Sequence, residues 1–155
     1  DLIKAYQLMN RSDIGVILVG NDIENVIPTQ LSQGIIHIPA LYGKELQELM
    51  MSCDVCCCPG AVGLNIVDAM AYGLPFVTEA ADHGPEIMYL KHGRNGMLVP
   101  LGRIDLLSDT LIKLLDDERL RKKMSNLAKE TYRNDASIEN MYYGFINAVR
   151  HSLKQ

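Results

Sequence analysis

The sequence predicts an α/β protein in which a parallel sheet is covered by helices on both faces. Five short apolar runs, at 15–20, 34–39, 54–59, 74–78 and 96–100, alternate with longer segments of helical periodicity. The runs are almost continuously apolar, which is typical of parallel strands buried on both faces. The length agrees, because 155 residues can bury a sizeable single core.

The helices follow from the segments between and after these runs. They are predicted at 1–11, 43–52, 63–73, 84–91, 103–116, 117–133 and 137–152. No strand candidate follows Asp105, so we expect the C-terminal helices to pack against the sheet. The chain opens on a helix where a doubly wound sheet opens on a strand. We therefore expect it to be a fragment of a longer protein.

The composition excludes several classes of function. The net charge is −4 and the longest basic run is Arg121-Lys122-Lys123, so nucleic acid is not an expected partner. No stretch approaches the ~20 apolar residues of a membrane-spanning helix. The first residues also lack the basic and apolar parts of a signal peptide. These observations predict a cytoplasmic protein.

All four cysteines lie close together, at Cys53, Cys56, Cys57 and Cys58. Three of them belong to an apolar strand, where neighbouring side chains point to opposite faces of the sheet. Their spacing does not resemble a zinc site. We expect reduced, buried thiols and no metal.

The segment from Cys58 to Thr78 predicts the functional site, because it reads as strand end, glycine loop, helix, turn and strand. Ligands of open α/β sheets bind outside the carboxyl ends of the strands, where this loop lies. Gly60 and Gly63 let the backbone approach a ligand closely. A helix starting near Gly63 offers unpaired N–H groups to a diphosphate. Tight packing explains such a loop about equally well.

Asp68 interrupts the apolar helix face of Ile66, Val67, Met70 and Ala71. Aspartate is a poor helix former, and this position lies too far inside the predicted helix for a cap. A carboxylate here can accept two hydrogen bonds from a vicinal diol, as acidic residues do for ribose. The alternative is a solvent-facing or locally ion-paired side chain.

These motifs resemble the C-terminal domain of glycosyltransferase family 4, whose members are retaining enzymes with the GT-B fold. The resemblance covers essentially the whole chain, and its motifs match in order and spacing: Asp68-Ala-Met-Ala-Tyr-Gly-Leu-Pro, Gly84-Pro-Glu86-Ile and Asn95-Gly-Met-Leu-Val. It implies a Rossmann-like three-layer α/β/α architecture, one half of a GT-B fold, with C-terminal helices packed on it. Residues 1–155 would then be a single donor-binding domain that lacks the N-terminal acceptor-binding domain.

The resemblance also implies roles for individual residues. Asp68 would hold the nucleotide ribose, the backbone around Gly63 and Leu64 would face the diphosphate or sugar, and Leu41 would border the base. The implied donor-binding set is Gly60, Ala61, Val62, Gly63, Leu64, Asp68, Leu41 and Glu86. An acidic helix start explains Glu86 equally well. His83 is the one candidate for a catalytic group, with a plain surface histidine as the alternative.

Two positions depart from the family pattern. Gly60 stands where the family has the first of two glutamates, which is expected to contact the donor sugar. Asp68 replaces the second glutamate and is shorter by one C–C bond, about 1.5 Å. The arginine and lysine that neutralise the diphosphate in the family would lie upstream of Asp1.

The implied reaction is transfer of a sugar from a nucleoside diphosphate to a hydroxyl acceptor with retention, in polysaccharide or glycoconjugate biosynthesis. It needs no metal or other cofactor, because helix dipoles and basic groups stabilise the leaving diphosphate. The full-length protein would work in the cytoplasm at the inner face of the membrane. The fragment alone is expected to be inactive and to make no membrane contact. Two alternatives remain: a non-catalytic nucleotide-sugar-binding module and a GT-B epimerase.

Overall fold

The structure is a computed structural model that describes residues 1–23 and 25–153. The helices are α1 (Leu2–Met9), α2 (Gly43–Met51), α3 (Asn65–Tyr72), α4 (Ile104–Asp116), α5 (Glu118–Thr131) and α6 (Ile138–Ser152). The strands are β1 (Val16–Val19), β2 (Ile35–Ile38), β3 (Cys56–Cys57), β4 (Phe76–Glu79) and β5 (Gly96–Val99). A 3₁₀ helix at Pro85–Tyr89 and a π-helical turn at Tyr132–Ala136 complete the described elements.

Each predicted strand and helix has a counterpart, with one difference of type. The segment predicted as a helix at 84–91 forms only the short 3₁₀ helix. Pro85 at its first position has a fixed φ and lacks an N–H, which suits a helix start. Leu90 already has extended backbone, with φ −73° and ψ 123°, so the segment is too short for an α-helix.

All strand pairs are parallel, as predicted, and they form two groups. β1 pairs with β2, and β4 lies between β3 and β5. Within the described residues no backbone pairing joins the two groups. They nevertheless share one apolar cluster, which contains Val77 of the larger sheet and against which Val16 and Leu18 of β1 and Cys57 of β3 pack. The architecture is therefore a Rossmann-like α/β fold whose sheet is in two parts.

Helices cover both faces of the three-stranded sheet. On one face, Ala5 of α1 and Leu107 of α4 belong to the same cluster as Val77 and Val99. On the other face, Ile66 and Met70 of α3 and Ala128 of α5 surround Phe76. Every residue of β4 is buried, so this strand is the centre of the molecule. Its carboxyl end fixes the edge at which the predicted site lies.

The C-terminal helices differ in how they pack. α4 and α5 contribute Leu111, Leu114 and Met124 to the core, as predicted. No residue of α6 is buried, although the structure describes the whole helix, and most of its apolar side chains are exposed. The expected packing of the C-terminal segment against the sheet thus applies to α4 and α5. No helix in the described ranges is long and apolar enough to cross a membrane.

Candidate functional site

The glycine loop at 58–64 follows β3 at the carboxyl edge of the larger sheet. Gly60 has φ +92°, a backbone conformation that side chains with a Cβ rarely adopt. A Cβ at Gly60 would meet no atom within 4 Å, so the space beside it is open. Ala61 and Leu64 are exposed, whereas Val62 is 2% exposed and anchors the loop in the core.

The amino terminus of α3 points two free amides outward from this loop. The helix begins at Asn65, two residues later than predicted, and the Gly63 N–H donates to Asn65 Oδ1 at 3.2 Å. The N–H groups of Leu64 and Asn65 have no acceptor among the residues that the structure describes. The positive end of a helix dipole and free amides together form an anion-binding arrangement.

Asp68 lies in the first turn of α3, two positions nearer to the helix start than in the predicted helix. Because the helix starts late, the carboxylate is close to the positive end of the dipole, which favours its charge. The side chain is exposed and forms no hydrogen bond or ion pair with any described residue. Partial desolvation raises the pKa of Asp68. Of the alternatives to ligand binding, an ion pair is excluded within the described residues, whereas a solvent-facing side chain agrees with the exposure of Asp68.

Two polar residues at the end of β4 were missed by the sequence analysis. The buried Thr78 hydroxyl donates to the Cys58 carbonyl at 2.8 Å, with the Gly60 carbonyl 3.4 Å away. The buried Glu79 accepts a hydrogen bond from the Gly102 N–H through Oε1 at 3.0 Å. Its Oε2 has no partner within residues 1–23 and 25–153. The clue in the sequence was that two polar residues, Thr78 and Glu79, directly follow the apolar residues Phe76 and Val77.

His83 lies against the glycine loop. Its Nδ1 is 3.3 Å from the Val62 nitrogen, and its Nε2 is 3.4 Å from the Ala81 nitrogen. The neighbouring Gly84 N–H donates to the Val62 carbonyl at 3.0 Å. The structure therefore brings His83 to the predicted loop, with both ring nitrogens directed at backbone amides.

Glu86 and Leu41 occupy different surroundings. Glu86 is partly buried in the first turn of the 3₁₀ helix, and a Cβ added at Gly84 would lie 2.6 Å from its Oε2. Leu41 follows β2, and the Ala40 N–H beside it donates to Asn21 Oδ1 at 3.3 Å. Glu86 is thus close to the glycine loop, whereas Leu41 is tied to the end of the two-stranded sheet.

The four cysteines are free, as expected, but each is only partly buried, whereas buried thiols were expected. Burial raises the pKa of the Cys56 thiol to about 12. Burial also raises the pKa of Cys57, Glu79 adds to that increase, and the α-amino group of Asp1 opposes it.

Comparison with known proteins identifies the family. Residues 1–131 match the family described as Glycosyl transferases group 1. A phosphatidyl-myo-inositol mannosyltransferase of Mycobacterium leprae is 32% identical over 130 residues, covering 78% of this chain and 34% of that protein. An N-acetyl-alpha-D-glucosaminyl L-malate synthase of Bacillus anthracis is 28% identical over 159 residues, covering 92% of this chain and 41% of that protein.

A solved structure agrees in fold. The chain superposes on Anabaena HepE, crystallised in complex with UDP-glucose, with a TM-score of 0.78 and 19% identity. The match covers 97% of this chain and 45% of HepE. The chain therefore spans less than half the length of each of these three proteins. It belongs to the glycosyl transferases group 1 family, and its Rossmann-like α/β fold matches that of GT-B glycosyltransferases.

Proposed function

We propose that this chain is the donor-binding domain of a retaining glycosyltransferase of the family 4 type. The enzyme transfers a sugar from a nucleoside diphosphate to a hydroxyl acceptor in polysaccharide or glycoconjugate biosynthesis. The observation that carries the proposal is the combination of free Leu64 and Asn65 amides with an unpartnered Asp68 at the start of α3. Two of the relatives above are a mannosyltransferase and a UDP-glucose-bound protein, which supports a nucleotide-sugar donor.

In this proposal the backbone stabilises the leaving group. The Leu64 and Asn65 amides donate to the diphosphate, whose charge the dipole of α3 favours. These donors are held in place before the reaction, so they can stabilise charge as it develops without reorganising. No metal or other cofactor is required for that step, and His83 remains a candidate group rather than an assigned base.

The remaining donor contacts follow the same edge. Asp68 accepts hydrogen bonds from the ribose hydroxyls, and Leu41 borders the base. The open space beside Gly60 and the partly buried Glu86 face the sugar. Because Gly60 has no carboxylate, it either contacts the sugar through its backbone groups or leaves room for a donor sugar of a different shape.

The proposed domain is completed by a strand upstream of Asp1. In the usual order of doubly wound sheets, the first strand lies between the second and the fourth. In this chain that place falls between β1 and β3, the two strands between which no pairing is found in the described residues.

The upstream segment has two further roles in the proposal. Its turn brings the basic side chains that neutralise the diphosphate, and beyond it lies the acceptor-binding domain. The full-length protein acts in the cytoplasm at the inner membrane face, with the membrane contact outside this fragment. The fragment alone binds the donor and does not catalyse transfer.

Calorimetric titration with UDP, GDP, ADP and dTDP tests the proposal. One nucleotide should bind, and Asp68→Ala should weaken its binding by about tenfold or more, because hydrogen bonds to a charged acceptor are lost. Glu118→Ala is the matched control. Glu118 also lies in the first turn of a helix, but it shares a surface recess with Pro75 and Asp54 at the opposite edge of the sheet.

The same titration on a protein extended upstream of Asp1 separates the alternatives. Binding that appears only in the extended protein would mean that the upstream basic residues are essential. Binding without sugar transfer to any acceptor would favour a non-catalytic module. No binding of any of the four nucleotides by the extended protein would contradict the proposal.

A further inference from the structure

Both ring nitrogens of His83 face backbone N–H donors, and a neutral imidazole can satisfy only one of them. Nδ1 lies 3.3 Å from the Val62 nitrogen and Nε2 lies 3.4 Å from the Ala81 nitrogen. Neutral histidine carries a proton on one ring nitrogen and a lone pair on the other. The tautomer therefore has to be assigned from the surrounding hydrogen bonds.

The neighbouring bonds decide between the two tautomers. The Ala81 N–H already donates to the Glu79 carbonyl at 2.9 Å. The Val62 N–H has no acceptor other than His83 Nδ1 among the described residues. An unpaired amide in a largely buried residue is costly, so the favoured tautomer has its lone pair on Nδ1 and its proton on Nε2.

Val62 is consequently held at both of its backbone polar groups. His83 accepts from its N–H, and the Gly84 N–H donates to its carbonyl at 3.0 Å. A Cβ at Gly84 would lie 3.0 Å from the Val62 carbonyl, so a glycine allows this close approach. The Val62 side chain is buried in the cluster around Phe76, which holds the residue against the core.

We propose that His83 is a positioning residue, which fixes the 60–64 loop through the Val62 N–H. The Leu64 and Asn65 amides are the next N–H groups after this attachment along the chain, apart from Gly63, whose amide is used by Asn65. Fixing Val62 keeps them oriented toward an anion before it arrives, which lowers the ordering cost of binding. This role deepens the proposed donor-binding function and rests on it for the ligand, but not for the hydrogen bond itself.

Two conservative substitutions test the atom that matters. The Oδ1 of asparagine can replace Nδ1 as an acceptor, whereas the amide of glutamine sits where Nε2 is. His83→Asn should therefore keep the bond to Val62, while His83→Gln and His83→Ala should lose it. A purely space-filling role would predict the opposite order, because glutamine is the larger side chain.

Amide hydrogen exchange of the protein without nucleotide provides the first measurement. The Val62 N–H should exchange about five- to tenfold faster in His83→Ala and His83→Gln, and near the wild-type rate in His83→Asn. His92→Ala is the control. Its Nδ1 accepts from the Leu98 N–H at 3.0 Å, so its loss should accelerate Leu98 and leave Val62 unchanged. Equal exchange rates of the Val62 N–H in the wild type, His83→Asn and His83→Gln would overturn the proposal. This comparison holds even if His83→Ala fails to fold.

Titration with UDP, GDP, ADP and dTDP, on the shortest form of the protein that binds one of them, is the second measurement. The dissociation constant of the nucleotide that binds should rise about three- to tenfold in His83→Gln and return toward the wild-type value in His83→Asn. An unchanged dissociation constant in His83→Gln would overturn the positioning role. If no form of the wild type bound any of the four nucleotides while Val62 exchange followed the expected order, the hydrogen bond would be supported and the proposed nucleotide function contradicted.

Discussion

The three-stranded and two-stranded parts of the sheet differ in how completely they are covered. Every residue of β4 is buried between helices on both faces. In β1, partly buried and exposed residues alternate, so that Ile17 and Val19 expose apolar side chains, as Ile36 does in β2. The candidate loop and α3 belong to the covered part, so packing on both faces fixes their geometry. The two-stranded part is packed on one face alone.

The largest expected difference between the two parts is in the cost of removing a side chain. Phe76 in β4 is 0% exposed, whereas Ile36 in β2 is 54% exposed. Phe76→Ala should lower the free energy of unfolding by about 3–5 kcal/mol, because it leaves a cavity in the core. Ile36→Ala should lower it by less than about 1 kcal/mol. Urea denaturation followed by circular dichroism measures both, and similar losses would refute the contrast.

A smaller difference is expected for adding a methyl group to a glycine. A Cβ at Gly96 in β5 would overlap the Phe76 carbonyl oxygen and lie 2.6 Å from Leu90 Cδ1. Gly96→Ala should therefore cost about 2 kcal/mol or more, since the strands must separate. At Gly15, ahead of β1, the nearest atom would be the Gly34 carbonyl at an ordinary 3.6 Å.

Gly15→Ala should accordingly leave the free energy of unfolding unchanged or raise it by up to about 1 kcal/mol, through a less flexible unfolded chain. Thermal unfolding of the pair measures this. A loss at Gly15 as large as that at Gly96 would mean that β1 and β2 are packed as tightly as the larger sheet.

Most of the helices and strands could be predicted from the sequence because short stretches of it, such as apolar runs and turn glycines, determine them. Each of the five apolar runs overlaps a strand, and Gly73, in the left-handed region with φ 75°, ends α3 where the sequence places a turn. The same applies to the glycine loop, whose position after a strand follows from chain order. The exposure of α6 was not predictable, since its apolar periodicity resembles that of a buried helix.

The details of the site depend on contacts between segments that are distant in sequence. His83 meets Val62 across 21 residues, and Thr78 meets Cys58 across 20. The direction of a side chain toward another loop has no local signature, so His83 was noted only as a candidate catalytic group. The start of α3 is a local detail that the periodicity did not give. The helix begins at Asn65, whose Oδ1 accepts a hydrogen bond from the Gly63 N–H, so Asp68 is two positions nearer to the helix start than predicted.

The smallest expected effect concerns one acidic residue beyond the end of a strand in each part. Asp22, after β1, accepts hydrogen bonds from the Val26 and Ile27 amides at 2.8 and 3.0 Å. Asp68, in the covered part, has no such partner among the described residues. Asp22→Asn should lower the free energy of unfolding at pH 7 by about 1 kcal/mol, because one amide then faces an NH₂ group.

Asp68→Asn should have the opposite sign. Desolvation raises the pKa of Asp68 above its ordinary 3.8, so the folded protein binds this proton more tightly than the unfolded chain does. The stability that this proton contributes is complete below pH 3.8 and is lost as the pH rises through the folded-state pKa. At pH 7 the ionised carboxylate therefore lowers the free energy of unfolding. Asp68→Asn should raise it by at most a few tenths of a kcal/mol, since the exposed group stays largely hydrated.

Urea denaturation at pH 7 and near pH 4 should show that this increase is smaller at the lower pH. A lower free energy of unfolding for Asp68→Asn at pH 7 would instead mean that the charge of Asp68 stabilises α3. The proposal that Asp68 serves to bind a ligand would then lose support.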